Sequence, residues 1–156
     1  MVKKIILWFA VIGMSAVIFG FSSGTGEQSS GMSEKIAESI VENIEEIIEI
    51  DINERASLFE TIHLIVRKGA HFSEFAILGI LSFMLAGSYG FSVNVCTVSA
   101  LLYCLIFAAC DEIHQLFVDG RAGRITDVFI DFAGSFVGVV LCRLLCCKKS
   151  KKKTQY

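Results

Sequence analysis

Four apolar runs dominate the chain: Ile5–Phe21, Ala70–Ala86, Val93–Cys110 and Ile125–Cys147. Each is long enough to cross the hydrocarbon of a bilayer as a helix, which needs ~17–25 residues and satisfies its own backbone there. With 54% hydrophobic residues and no proline in 156 positions, the composition lies outside the soluble globular range. The fold class expected is all-α: a polytopic membrane helix bundle with four transmembrane helices and an extracytoplasmic amphipathic helical segment. The chain divides accordingly into a first transmembrane helix at 1–21, an extracytoplasmic linker with acidic amphipathic helices at 22–66, a three-helix membrane core at 67–147 and a basic cytoplasmic tail at 148–156.

The first run follows Lys3 and Lys4 and reads as a retained anchor. Its rival is a cleaved signal peptide, whose apolar core usually spans ~7–15 residues; Gly20 and Ser22 would then supply the small residues of the cleavage site. Ser22–Gly31 is small, polar and turn-rich, the composition of a flexible linker. From Ser33, taken as an N-cap, Ile36, Ile40, Ile44, Ile47 and Ile48 recur at helical spacing with glutamates opposite. This predicts an acidic amphipathic helix whose stripe lies on the bilayer surface or against the bundle. A second helical stretch with Ile52, Ala56, Phe59, Ile62 and Val66 leads toward the membrane.

Charge is polarised. All 16 acidic residues fall between Glu27 and Asp131, and both ends are purely basic. No basic patch interleaved with aromatics exists, which argues against a nucleic-acid partner. The six cysteines lie in or beside apolar runs without C-x-x-C spacing, so they read as small buried hydrophobes; Cys146 and Cys147 beside the basic tail are also candidates for lipidation. Cytoplasmic segments collect Lys and Arg, and the C-terminal KKSKKKTQY places both termini inside. Eight basic residues then lie inside and six outside (Lys35, Arg55, Arg67, Lys68, Arg121 and Arg124), four of which sit next to span ends.

Those four belong to a larger constellation. Arg67, Lys68, His71 and Glu74 open the second span, with 67, 71 and 74 on one helix face. Asp111, Glu112, His114 and Gln115 close the third. Arg121 and Arg124 occupy the turn, and Asp127 and Asp131 enter the fourth span one turn apart. Gly134 and Gly138 continue below as a small-xxx-small pair that lets another helix approach. Individually, the basic residues can be interface anchors, His71 can satisfy a carbonyl and Asp127 can cap the last helix. Together they deliver costly groups from three spans to one membrane boundary, which predicts a shared polar site.

The blocks VRKGAHFSEFAILG (Val66–Gly79) and CDEIHQLFVDGRAGRITDVFIDFAGSFVG (Cys110–Gly138) resemble the VanZ-like family of bacterial integral membrane proteins. By resemblance, Arg67, Lys68, His71, Glu74, Asp111, Glu112, His114, Gln115, Arg121, Arg124, Asp127 and Asp131 take the family's motif positions, with roles unassigned. Asp119 stands where the family often has proline. The resemblance implies a bacterial cell membrane and a link to glycopeptide-antibiotic resistance, teicoplanin in particular; it supplies no reaction, and the cofactor is unknown.

Three functions fit these residues. An enzyme acting on an anionic lipid head group, such as a lipid-linked cell-envelope precursor, would clamp phosphate with arginines and use a histidine as acid or base. A non-catalytic binding or shielding module would use the same groups. A metal or proton pathway, for which His71, Glu74, Asp111, His114, Asp127 and Asp131 have ligand chemistry, ranks last because internal arginines oppose cations, and no metal ligand set is assigned. Neither a nucleophile elbow nor an H-E-x-x-H helix is present.

The topology has a direct test. A thiol reagent applied from outside the cell is expected to reach Gly120→Cys and not Ser150→Cys; the opposite labelling would invert the orientation.

Overall fold

The absence of proline from a chain this apolar lets each run form an unbroken helix. The computed structural model describes the backbone of residues 1–24, 26–48, 50–121 and 123–153, and the side chains of these apart from 26–30, 32 and 147–153. The described residues form five α-helices and no strand: α1 (Val2–Ser23), α2 (Gly26–Glu45), α3 (Ile52–Ser88), α4 (Val93–Gln115) and α5 (Ile125–Lys153). Four of them, α1, α3, α4 and α5, are long and apolar enough to span a membrane. Large apolar side chains such as Phe9, Val98, Ile106, Phe129 and Leu144 are exposed on the outside of the bundle, where a membrane protein meets lipid.

Helix α3 is the centre of the bundle. It packs against each of the other four helices, most extensively against α5. Phe75, Leu78 and Leu85 of α3 join Leu7, Val11 and Ile18 of α1 and Cys104 and Ala108 of α4 in the main core. The α3–α5 contact is backbone against backbone. A Cβ on Gly134 would overlap the Phe72 carbonyl, one on Gly138 the Ala76 carbonyl, and one on Gly79 would stand 2.7 Å from the Ser135 carbonyl oxygen. The small-xxx-small pair therefore does what its spacing predicts, and its partner is α3.

The bundle has two unlike ends. At one, Trp8 Nε1 donates to the Tyr89 hydroxyl at 2.9 Å, Lys4 lies over the Tyr89 ring, and Arg143 donates to Thr97. The start of α1 and the later turns of α5 thus share one end, with aromatic side chains of the kind found at membrane interfaces. At the other end stand Ser22 of α1, the close of α4 and the opening of α5.

Several local expectations change. With 37 residues, α3 runs about 55 Å, nearly twice a hydrocarbon layer of about 30 Å. Its first half therefore projects beyond the bundle and pairs with α2 as an antiparallel hairpin. Arg55 makes ion pairs with Glu38 and Glu45, and His63 hydrogen-bonds Ser33. Ser33 is thus a buried residue inside α2 and not its N-cap. The proposed flexible linker Ser22–Gly31 is mostly helical, since α1 runs to Ser23 and α2 starts at Gly26. Within α2, Ala37 and Val41 are the buried face, while Ile36 and Ile40 point outward and Ile47 and Ile48 lie beyond the helix. Ala37 and Val41 lie on the side of α2 that packs on α3. Cys96 and Cys104 are buried as expected, but Cys110 and Cys146 are exposed; the side chains of Cys147 and the tail 148–156 lie outside the described residues.

The glycine contacts set an energetic expectation. Gly134→Ala and Gly138→Ala should each destabilise the protein by about 1–3 kcal/mol through overpacking. Gly13→Ala and Gly20→Ala, where nothing lies within 4 Å of the new carbon, should be neutral or gain up to ~1 kcal/mol of helix propensity. Melting in detergent separates the two pairs, and equal midpoints for all four would argue that α3 and α5 do not touch at these glycines.

Candidate functional site

Three helix segments and one turn build the polar end. The α4–α5 turn owes its shape to glycines: Gly120 adopts φ 73°, and a Cβ on Gly123 would overlap the Glu112 carbonyl. The close approach at Gly123 lets the Arg124 backbone N–H donate to Glu112 Oε2 at 2.7 Å. The same turn aims Arg121 at α1. Its Nε and Nη2 donate to the carbonyls of Gly24 (3.1 Å) and Phe21 (2.8 Å). Helix α1 has no basic residue in its own last turn, so Arg121 satisfies its terminal carbonyls from about a hundred residues away. Burial, and then the Arg67 charge, pull the Arg121 guanidinium below its ordinary pKa, while Asp111 and Glu112 pull it up. An arginine stays cationic throughout.

Helix α1 contributes a side chain as well. Ser22 Oγ is buried and donates to Asp111 Oδ2 at 2.6 Å; Gln115 Nε2 donates to the same oxygen at 3.0 Å. Across the bundle, Lys68 Nζ pairs with Asp127 Oδ1 at 3.0 Å, which ties α3 to the first turn of α5 and occupies Asp127 as an ion-pair partner. These contacts enclose a cavity of about 260 Å³ lined by Leu64, Arg67, Lys68, His71, Glu112, Gln115, Gly120, Arg121, Arg124, Asp127, Ile130 and Asp131.

Nine of the twelve sequence candidates line that cavity. Asp111 does not, yet its carboxylate lies with that of Asp131 and the His71 ring in a cluster whose ligating atoms are all within 4.8 Å of one another. Glu74 stands at the margin, Oε2 at 3.9 Å from His71 Nδ1. His114 is not brought in: its ring packs on Phe19 of α1, centroids 4.2 Å apart. Ser22 and the Phe21 and Gly24 carbonyls are members that sequence reasoning missed. A serine at the end of an apolar run carries no local sign of a carboxylate partner 89 residues on.

The chain matches the family model described as VanZ/LLP1 over residues 7–146. The chain belongs to the VanZ/LLP1 family. The match takes in most of α1 and all of α2 as well as the motif blocks of the last two thirds. No curated protein and no solved structure matches the chain.

If Ser22 holds Asp111 as described, Ser22→Ala should lower stability by about 1 kcal/mol, the scale of an interhelical hydrogen bond in a membrane protein. A chemical-denaturation or melting curve unchanged from wild type would remove α1 from the site.

Proposed function

We propose that the cavity of this VanZ/LLP1 protein holds the anionic head group of a membrane lipid, a lipid-linked cell-envelope precursor being the class that fits best. One observation carries this reading: Arg67, Lys68, Arg121 and Arg124 line a single cavity at the end of the membrane bundle. Among the described residues only Lys68 spends its charge on a carboxylate there. Arg121 is fixed by two backbone carbonyls, and its Nη1 is buried with no hydrogen-bond partner among the described residues. Guanidinium forks match phosphate oxygens bidentately, and an interfacial cavity lets the acyl chains remain in hydrocarbon.

Orientation follows the basic ends: with both termini cytoplasmic, the cavity faces the outer surface, where envelope precursors are used. Tolerance of glycopeptides such as teicoplanin is then a consequence of binding or altering the precursor they recognise. His71 and the buried Asp131 on the cavity wall are the groups placed for proton transfer at a bound head group. A shielding module needs the arginines alone.

Binding to nanodisc-embedded protein tests the proposal. Arg67→Gln and Arg124→Gln should each weaken a phosphate-bearing lipid roughly 10- to 150-fold, the loss of charge-assisted hydrogen bonds worth about 1.5–3 kcal/mol, and leave neutral lipid unaffected. Turnover of a labelled precursor that disappears in His71→Ala, with binding retained, assigns chemistry; binding without turnover in the wild type assigns shielding. Undiminished anionic-lipid binding by the double arginine variant would remove the proposal.

A further inference from the structure

We propose that His71, Asp111 and Asp131 form a binding site for one divalent transition cation of the Zn²⁺ or Mn²⁺ type, set in the wall of the arginine-lined cavity, which His71 and Asp131 themselves line. The three residues come from α3, α4 and α5, and each offers a ligand atom within 4.8 Å of the other two. One imidazole nitrogen with two carboxylate oxygens is the donor set such cations take, and three protein ligands leave a coordination position open. Ligands about 2.1 Å from a tetrahedral metal stand about 3.4 Å apart. Capture therefore draws the side chains together by at most about 1.4 Å, a rotamer adjustment and not a refolding.

The independent observation is the state of the two carboxylates. Asp111 and Asp131 are only 1% and 2% exposed. The Oδ1 of each is buried and has no hydrogen-bond partner among the described residues, and no lysine or arginine among them lies within 4.0 Å of either group. Two buried acids so placed are costly unless a cation or protons neutralise them. The sequence argument against a metal was the nearby arginines. Arg67, Arg121 and Arg124 line the same cavity as His71 and Asp131, but Arg121 is held on the α1 carbonyls and none of the three makes an ion pair with Asp111 or Asp131.

Asp111 is also arranged as ligating carboxylates are. Ser22 and Gln115 both donate to Oδ2, which fixes the group and leaves Oδ1 as the free oxygen. Glu74 Oε2 stands 3.9 Å from His71 Nδ1, beyond hydrogen-bond distance, so the imidazole nitrogen has no hydrogen-bond partner among the described residues. The cation site stands on these residues alone; with a cation bound, His71 and Asp131 serve as its ligands, and the proton-transfer role at a head group belongs to the metal-free protein.

The full-length protein in neutral detergent, free of anionic lipid and stripped with a chelator, is titrated with ZnCl₂ and with MnCl₂. Bound metal is read by elemental analysis and the melting midpoint is followed. One equivalent per chain and a raised midpoint are expected for at least one of the two ions. Asp131→Asn and His71→Gln should weaken binding tenfold or more, whereas His63→Ala, in the α2–α3 hairpin, should bind as wild type. Asp111→Asn is a further ligand variant, but because Asp111 also anchors Ser22 and Gln115, the other two decide the matter if it fails to fold. Elution volume and helical circular dichroism identify folded variants. Substoichiometric binding of both ions by the wild type, or equal binding by the folded Asp131→Asn and His71→Gln variants, overturns the site. Since Arg67→Gln and Arg124→Gln leave these ligands in place, loss of lipid binding and loss of metal binding can be told apart.

Discussion

Where α3 and α5 cross, the absence of three side chains, at Gly79, Gly134 and Gly138, lets two backbones meet with nothing between them. The polar end depends on that contact. It sits just below Lys68, His71, Asp127 and Asp131, so it fixes the spacing at which the lysine reaches its aspartate and the imidazole reaches the deeper carboxylate. In hydrocarbon there is no difference in solvent to drive helices together, so close packing has to supply the association. The glycines do so at the one place where the distance between facing ionic groups matters most.

Helix α1 joins this pair by a different means. Its apolar side packs Leu7, Val11 and Ile18 into the core, but its far end is held by polar bonds: Ser22 to Asp111, and the Phe21 and Gly24 carbonyls to Arg121. A helix end left bare near hydrocarbon would carry unsatisfied carbonyls. The arginine that satisfies them is at the same time a wall of the cavity, so the site and the seating of α1 share a residue.

Much of this was legible in the sequence. The four spans follow from the length of the apolar runs, and the depth of the charged cluster from where Arg67–Glu74, Asp111–Gln115 and Asp127–Asp131 fall relative to span ends. The glycine pair was legible from its spacing. What was not legible were pairings across long separations: Ser22 with Asp111, Arg121 with α1, and Lys68 with Asp127. His114 shares a face with its neighbours in sequence but packs on Phe19, because periodicity gives a face of a helix and not the helix opposite it. The SSGTGEQSSG stretch has the composition of a linker, yet from Gly26 it continues into a helix seated on α3, an instance of tertiary packing prevailing over local propensity. The isoleucine stripe misled for a related reason: helical spacing marks an apolar face without saying which part of it is buried, and the hairpin closes on Ala37 and Val41 while Ile36 and Ile40 stay outside.

The length of α3 puts two parts of the molecule on one backbone. One helix, with no proline to interrupt it, carries Arg55 in the projecting hairpin and Lys68 at the cavity, about 20 Å apart along its axis. The hairpin and the cavity wall are therefore two stretches of a single backbone hydrogen-bond ladder, and the residue next to Lys68 on that ladder, Gly69, has open space around it.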